Sequence, residues 1–237
     1  MSYNYAQYQT YLSTLMAVST TDTNFVAILP MCIDYAEERI YRELDLLNTR
    51  FRDSSTVCAV GVREITLPAT LIVAETLAAI TPAGTLPNAG TRNMMIPVTH
   101  DFIDMVYPNS GPATYQSLPK YFAMLTQTTA LVGPSPDQAY KVEVVGTQRP
   151  ATLSASNTTT VLTTLLPDLF MAASMIFMAG YQKNFGSQAD DPKMSQSWEN
   201  QYQALMQWAK SEEFRKKFES SSWTPMIQST VADKQRG

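Results

Sequence analysis

Between Val132 and Gly180 the sequence changes its period, and that change constrains the fold more than any other feature of the chain. A turn at Pro134-Ser135-Pro136-Asp137 leads into the stretch Tyr140 to Thr147. There Tyr140, Val142 and Val144 alternate with Lys141 and Glu143, the period of two expected of a strand with one buried face. Pro150 stops the strand and a Ser/Thr/Asn-rich link follows. Pro167 then opens a helix in which Leu169, Phe170, Ala173, Met175, Ile176 and Met178 point in nearly every direction. A helix that is apolar on most of its faces is buried on most of them.

The rest of the chain extends this alternation of periods. Residues 3 to 17 read as a helix, with Tyr5, Tyr8, Leu12, Leu15 and Met16 at helical spacing. Polar residues from Ser19 to Asn24 end it and supply caps for a second helix, about Phe25 to Thr49, striped by Ile33, Ala36, Ile40, Leu44 and Leu47. Pro30 is expected in the first turns, where a missing N–H costs little. From Phe51 the period becomes that of strands: 56 to 62, 64 to 67, 71 to 80 and 91 to 96, punctuated by Pro68, Pro82, Pro87 and Pro97. Thr99 caps a short helix over His100 to Tyr107, and 121 to 127 with 129 to 132 read as a hairpin. A long helix closes the sequence from Lys193 to Phe218, with Trp198, Tyr202, Leu205, Trp208 and Phe214 as its stripe and Arg215, Lys216 and Lys217 in its last turns. The expectation is an α+β chain: a helical bundle formed by the N- and C-terminal helices, an inserted mostly-β block, and an extended C-terminal tail. The boundaries are 1–51 and 156–218 for the helical parts, 52–155 for the β block and 219–237 for the tail.

Composition narrows the function classes. Hydrophobic residues make up 45% of the 237 and charged residues only 16%, against roughly 25% charged in ordinary soluble domains. So few charges protect a free subunit poorly and fit either an ordinary surface rich in Ser, Thr and Gln or one covered by other subunits. The net charge of −4, without Lys/Arg clusters, argues against specific nucleic-acid binding and against membrane surfaces. No apolar run is long enough to span a bilayer, and the first residues have no signal-peptide pattern. Cys32 and Cys58 lie in apolar contexts and read as buried free thiols in a reducing cytoplasm.

Catalytic and metal chemistry find little to work with. His100 is the single histidine, so any Ser–His or Cys–His system must use it. It reads as a surface or capping residue. One histidine and two remote cysteines make no zinc set, and Asp101/Asp104 and Asp190-Asp191 lack the spacing of a calcium loop. Gly84, Gly90 and Gly111 are lone turn glycines without a phosphate-loop pattern. The expectation is no catalytic residue, no cofactor and no metal site.

Contact residues are easier to nominate. Tyr3, Tyr5, Tyr8 and Tyr11 crowd the first helix. Tyrosine gives large contact area at low entropic cost, so Tyr3 and Tyr5 are candidate subunit-interface residues, with core packing the competing reading for the group. Trp198 and Trp208 are expected in the core. Trp223, Met226 and Ile227 are apolar islands in a polar tail and are candidate docking residues, either exposed or seated on another surface.

The string from Pro136 to Met178 resembles a stretch of the head-to-tail adaptor (head completion) proteins of short-tailed phages. Its elements are a turn carrying Pro134, Pro136 and Asp137, a strand with Tyr140, Val142 and Glu143, then Arg149-Pro150 near Leu153-Ser154, and a helix start at Pro167-Asp168-Leu169. Tyr35 to Leu44 is similar to that family's first long helix. Ile96 to Tyr107 resembles its strand-to-helix corner, and Trp198 with Tyr202 its closing helix. The likeness spans about 25 to 218; the helix before residue 20 and the tail after 219 fall outside it. The resemblance implies a virion structural protein made in the host bacterial cytoplasm and located at the neck. It implies a homo-oligomeric ring, roughly dodecameric, under the portal protein, offering a platform to tail and nozzle proteins. Packaged DNA would pass through the lumen without specific binding, and no membrane is involved. The alternatives are another neck or tail protein, such as a gatekeeper or tail-completion protein, and a virion-associated hydrolase using paired carboxylates.

Overall fold

The computed structural model of the 237-residue chain describes residues 2–109, 111–181 and 192–221. In chain order these form helices α1 (Tyr5–Leu15) and α2 (Thr23–Glu43), strands β1 (Arg50–Val57), β2 (Glu64–Thr66), β3 (Leu71–Thr81), β4 (Thr91–Met94) and β5 (Ile96–Pro97), and helix α3 (His100–Val106). Strands β6 (Tyr121–Met124), β7 (Thr129–Gly133) and β8 (Lys141–Gln148) follow, then helices α4 (Val161–Leu165), α5 (Pro167–Tyr181) and α6 (Pro192–Ser221). The chain is α+β and divides into two compact units, Met1–Asn48 with Pro150–Gly237, and Thr49–Arg149.

In the helical unit, capping fixes where each helix begins. Asn4 accepts from the Gln7 amide, and the Gln7 side chain accepts from the Asn4 amide, closing a capping box at α1. Asp22 accepts from the amides of Asn24 and Phe25 and starts α2. The core then collects Tyr8 and Leu12 of α1, Phe25, Leu29, Ile33, Ala36 and Ile40 of α2, and Leu169, Phe170, Ala173, Met175 and Met178 of α5. Three expectations need correcting. Pro30 lies well inside α2 rather than in its first turns. It is tolerated because it sits on the exposed side, where the Val26 carbonyl it leaves without an amide partner can face water. The second helix stops at Glu43, because Leu44 turns extended and the chain then alternates, burying Leu44 and Leu46 on either side of exposed Asp45. The Thr-rich link contains α4, started by a reciprocal cap between Thr160 and Thr163.

The register of α6 also differs from the expected stripe. Tyr202, Met206, Ala209 and Glu213 face the core, spaced by four, three and four residues. Trp198 and Leu205 flank that line and are partly buried. Trp208 and Phe214 are 76% and 69% exposed. Small Ala209 lets the helix pack closely, and the Glu213 carboxylate earns its buried position by accepting from the Leu47 amide at 3.0 Å and from Lys216 at 2.7 Å.

The second unit holds two four-stranded sheets, ordered β1-β8-β3-β4 and β2-β7-β6-β5. Pairing is antiparallel except between β5 and β6. Leu71, Leu77, Ala79, Val142 and Val144 from the first sheet meet Ile65, Phe122, Ala130 and Val132 from the second in one apolar core. The first strand of this unit runs over Arg50–Val57, not 56 to 62. It is a polar edge strand, which apolar alternation does not reveal, and residues near Gly61 form a turn with a φ of 72°. Tyr140, Val142 and Val144 are buried as expected, but so is Glu143, at 3% exposure. Arg92 on the outer strand β4 reaches it with two nitrogens, at 2.8 and 3.1 Å, and Arg52 of β1 stands 3.6 Å away. Arg92 holds this carboxyl below the ordinary carboxylate range.

Candidate functional site

Tyr8, Ser174 and Cys32 bond one another in the core of the helical unit. Tyr8 donates to the Ser174 hydroxyl at 2.8 Å, and Ser174 in turn donates to the Phe170 carbonyl at 2.7 Å. The Cys32 thiol lies 3.7 Å from the Tyr8 oxygen and donates to the Ser174 carbonyl. Burial pushes the Cys32 thiol up to about 12 and the Cys58 thiol up to about 11, so neither supplies a thiolate at neutral pH. His100 stands exposed at the start of α3, 2.9 Å from Asp101, while Thr99 caps the helix as expected. Among the described residues no three His, Cys, Asp or Glu side chains gather as a metal site, and no helix is long and apolar enough to cross a membrane.

What the surface offers is apolar relief. On the helical unit an open groove of about 740 Å³ is lined by Tyr3, Tyr11, Thr14 and Leu15 on one side and Leu165, Pro167, Asp168 and Met171 on the other. Its construction is local. The Tyr3 amide donates to the Thr163 carbonyl and the Tyr5 amide to the Thr158 carbonyl, which lays the N-terminal segment along the chain leading into α4. Tyr3 then donates its hydroxyl to the Pro167 carbonyl at 2.8 Å. Its ring stacks on Tyr8 at 5.9 Å and meets the Tyr11 ring edge-on at 6.1 Å, and Tyr8 stacks on Phe170 at 5.1 Å. The floor is thereby tied to the core through aromatic contacts. Burial, with nearby Asp168, raises the Tyr3 phenol well above its ordinary value, so it stays a donor. Tyr11, Leu15 and Leu165 remain exposed at the rim, and Asp168 is the single charge there.

Of the contact residues nominated from sequence, Tyr3 is buried as the groove floor, and Tyr5 is half-buried with its hydroxyl accepting from Gln9. Trp223, Met226 and Ile227 lie outside the described residues.

The outer side of α6 is a second feature. Its inner side is fixed by Arg39, which forks onto Glu199 at 2.8 and 2.6 Å, bonds Glu43 at 3.0 Å and lies 4.2 Å from the centre of the Tyr202 ring. Arg39 holds the Glu199 carboxyl below its ordinary range. On the other side, the exposed positions from 196 to 211 are Gln, Ser, Asn, Ala, Trp208 and one charge, Lys210. On the β-rich unit, Met105 of α3 is 81% exposed beside exposed Phe102 and Val106, with Phe102 packed edge-on to Tyr121 at 5.4 Å.

The groove and the exposed Trp208 were not legible in the sequence. Leu15 and Trp208 look like core residues by spacing. The signal for Trp208 was the competing line of Tyr202, Met206 and Ala209, which also falls at helical spacing.

The family model described as SU10 adaptor protein matches residues 3–222, nearly the whole chain. No curated protein matches the sequence significantly.

Proposed function

The chain belongs to the SU10 adaptor protein family, and on that premise we propose that it is the subunit of a ring, roughly dodecameric, that docks under the portal of a phage head. The ring extends the DNA channel and presents a platform to tail and nozzle proteins. In this reading the helices of the first and last thirds form a bundle, the β-rich segment is an insertion in it, and the residues beyond 219 form an extended tail that locks onto a neighbour or the portal through Trp223, Met226 and Ile227. Tyr3 and Tyr5 contribute to the subunit interface, Tyr3 by shaping the surface rather than by its own exposure. The chain works by binding, without catalysis or cofactor.

The observation that carries the reading is the family match over residues 3–222. The charge content of 16% and the apolar groove agree with a surface meant for other subunits. The net charge of −4 suits a lumen through which DNA slides without being gripped.

The test is direct. Portal-bearing heads assembled without this chain are incubated with it, and the neck is imaged with symmetry averaging. A ring of density beneath the portal and tail attachment dependent on the added chain are expected. Tail attachment that proceeds equally well without it, with no density at the neck, overturns the proposal.

A further inference from the structure

We infer that the end of α6 is a latch on the chain crossing that leads into the β-rich unit: the Glu213 carboxylate holds the segment from Leu44 to Asn48, and opening either one opens the other.

The chain crosses between the compact units twice, after Asn48 and after Arg149, and beside each crossing a buried glutamate of the helical unit holds a backbone amide. On the way out, the Leu47 amide donates to Glu213 Oε2 of α6 at 3.0 Å. On the way back, the Leu153 amide donates to Glu37 Oε1 of α2 at 3.0 Å. The two holds differ in depth. Glu37 lies in the body of α2 among Ile33, Ala36 and Ile40, all buried, so it opens only when the core does. Glu213 lies near the end of α6, and among residues 211–217 its side chain is the one that is buried. Phe214 beside it is exposed. This end of α6 is thus fastened by polar contacts rather than by apolar burial.

Those contacts converge on the outgoing segment. Glu213 Oε1 accepts from Lys216 at 2.7 Å, and Lys216 also reaches Glu212 at 2.7 Å. Lys217 pairs with Asp45. Leu44 and Leu46 are buried on either side of exposed Asp45, so the core grips the segment at its leucines and α6 grips it at Asp45 and Leu47. Leu47 stands three residues before Arg50, the first residue of β1. A chain of that length reaches at most about 11 Å, so a shift of Leu47 is passed to β1 with little slack. Coupling of this kind is reciprocal. A partner that draws the end of α6 away frees the crossing, and one that fixes the crossing firms the end of α6.

Amide hydrogen exchange of the full chain tests the latch. In Glu213→Ala, exchange across 45–49 and 213–217 is expected to rise by about tenfold or more, as loss of a charge-assisted hydrogen bond does. Leu153 and the amides of α1 should keep their wild-type rates. Glu213→Gln keeps an oxygen acceptor and should restore protection to within a few-fold. Lys217→Glu sets like charge against Asp45 but leaves the Glu213 acceptor in place, so a faster Leu47 amide in that variant reports the latch and not one deleted bond.

Unchanged exchange at Leu47 in Glu213→Ala overturns the proposal, and so does a Leu47 amide that stays fully protected in Lys217→Glu. A rise spread evenly over 45–49, Leu153 and α1 also overturns it, because that pattern is a general loss of stability in the helical unit.

Discussion

The chain Tyr8–Ser174–Phe170 predicts a strongly non-additive pair of substitutions. Both hydroxyls sit in a fully buried site and are bonded only to each other, to the Phe170 carbonyl and, more loosely, to the Cys32 sulfur. Tyr8→Phe removes the donor at 2.8 Å and leaves the Ser174 oxygen with an unfilled acceptor site in a dry environment. Ser174→Ala removes that acceptor and leaves the Tyr8 hydroxyl with the sulfur, 3.7 Å away, as a weak partner. A buried polar group stranded in this way costs about 1–3 kcal/mol, whereas replacing both partners by apolar groups of the same shape is close to neutral. Each single change is therefore expected to lower stability by about 1–2 kcal/mol, and the double change by about the same amount rather than by about 2–4 kcal/mol. The coupling is at least about 1 kcal/mol. Urea unfolding of the four proteins, followed by a signal from the helical unit and compared at constant slope, measures it. If the double variant loses the full sum of the single losses, the hydroxyls do not act as a pair and the reasoning fails.

Other expectations follow from single sites. Glu143, whose carboxyl Arg92 holds below its ordinary range, contributes stability that is complete above the unfolded value of about 4.3 and fades as pH falls through the lowered folded value. The stability gap between the wild type and Glu143→Gln should therefore shrink on acidification from pH 7 to about pH 3, and a constant gap would disprove the assignment. A Cβ added at Gly146 would collide with the Val73 carbonyl oxygen. Because that atom belongs to the paired strand β3, Gly146→Ala should cost about 3 kcal/mol, checked by denaturation of the β-rich unit. Pro30→Ala restores the amide bond to the Val26 carbonyl on the exposed side of α2, and should raise stability by about 1–3 kcal/mol; a lowered melting temperature would count against it. Native protein should react with a thiol reagent at neither Cys32 nor Cys58, and unfolded protein at both, since burial raises both thiols.

Legibility in the sequence followed the strength of periodic signals. The strand at Tyr140–Val144 and the helix opened by Pro167 were clear because their periods are nearly uninterrupted over apolar residues. The edge strand from Arg50 was not, because an edge strand needs no buried face and carries charge instead. The helix over Val161–Leu165 was hidden by threonines, whose helix propensity is low but whose side chains cap well. Alternation puts Glu143 on the strand face opposite Tyr140, Val142 and Val144, and it lies there. What alternation cannot foresee is that Arg92 and Arg52 close over that face from neighbouring strands. The groove was beyond reach for a related reason: it arises where α1, α4 and α5 meet, and no local pattern records a gap between elements.

Tyr3 shows how core and interface readings of one aromatic residue become compatible. Its ring is buried by Tyr8 and Tyr11 and its hydroxyl is spent on the Pro167 carbonyl, so it offers a partner little area of its own. Yet the same bonds hold the floor between Leu15 and Leu165 at fixed depth. A surface whose floor is locked before binding loses little side-chain entropy when a partner covers it, and that difference appears directly in affinity. Tyr3→Phe breaks only the hydroxyl contact and keeps the ring. If the floor is what matters, this change should weaken loading onto portal-bearing heads less than Tyr3→Ala, which removes the floor, does.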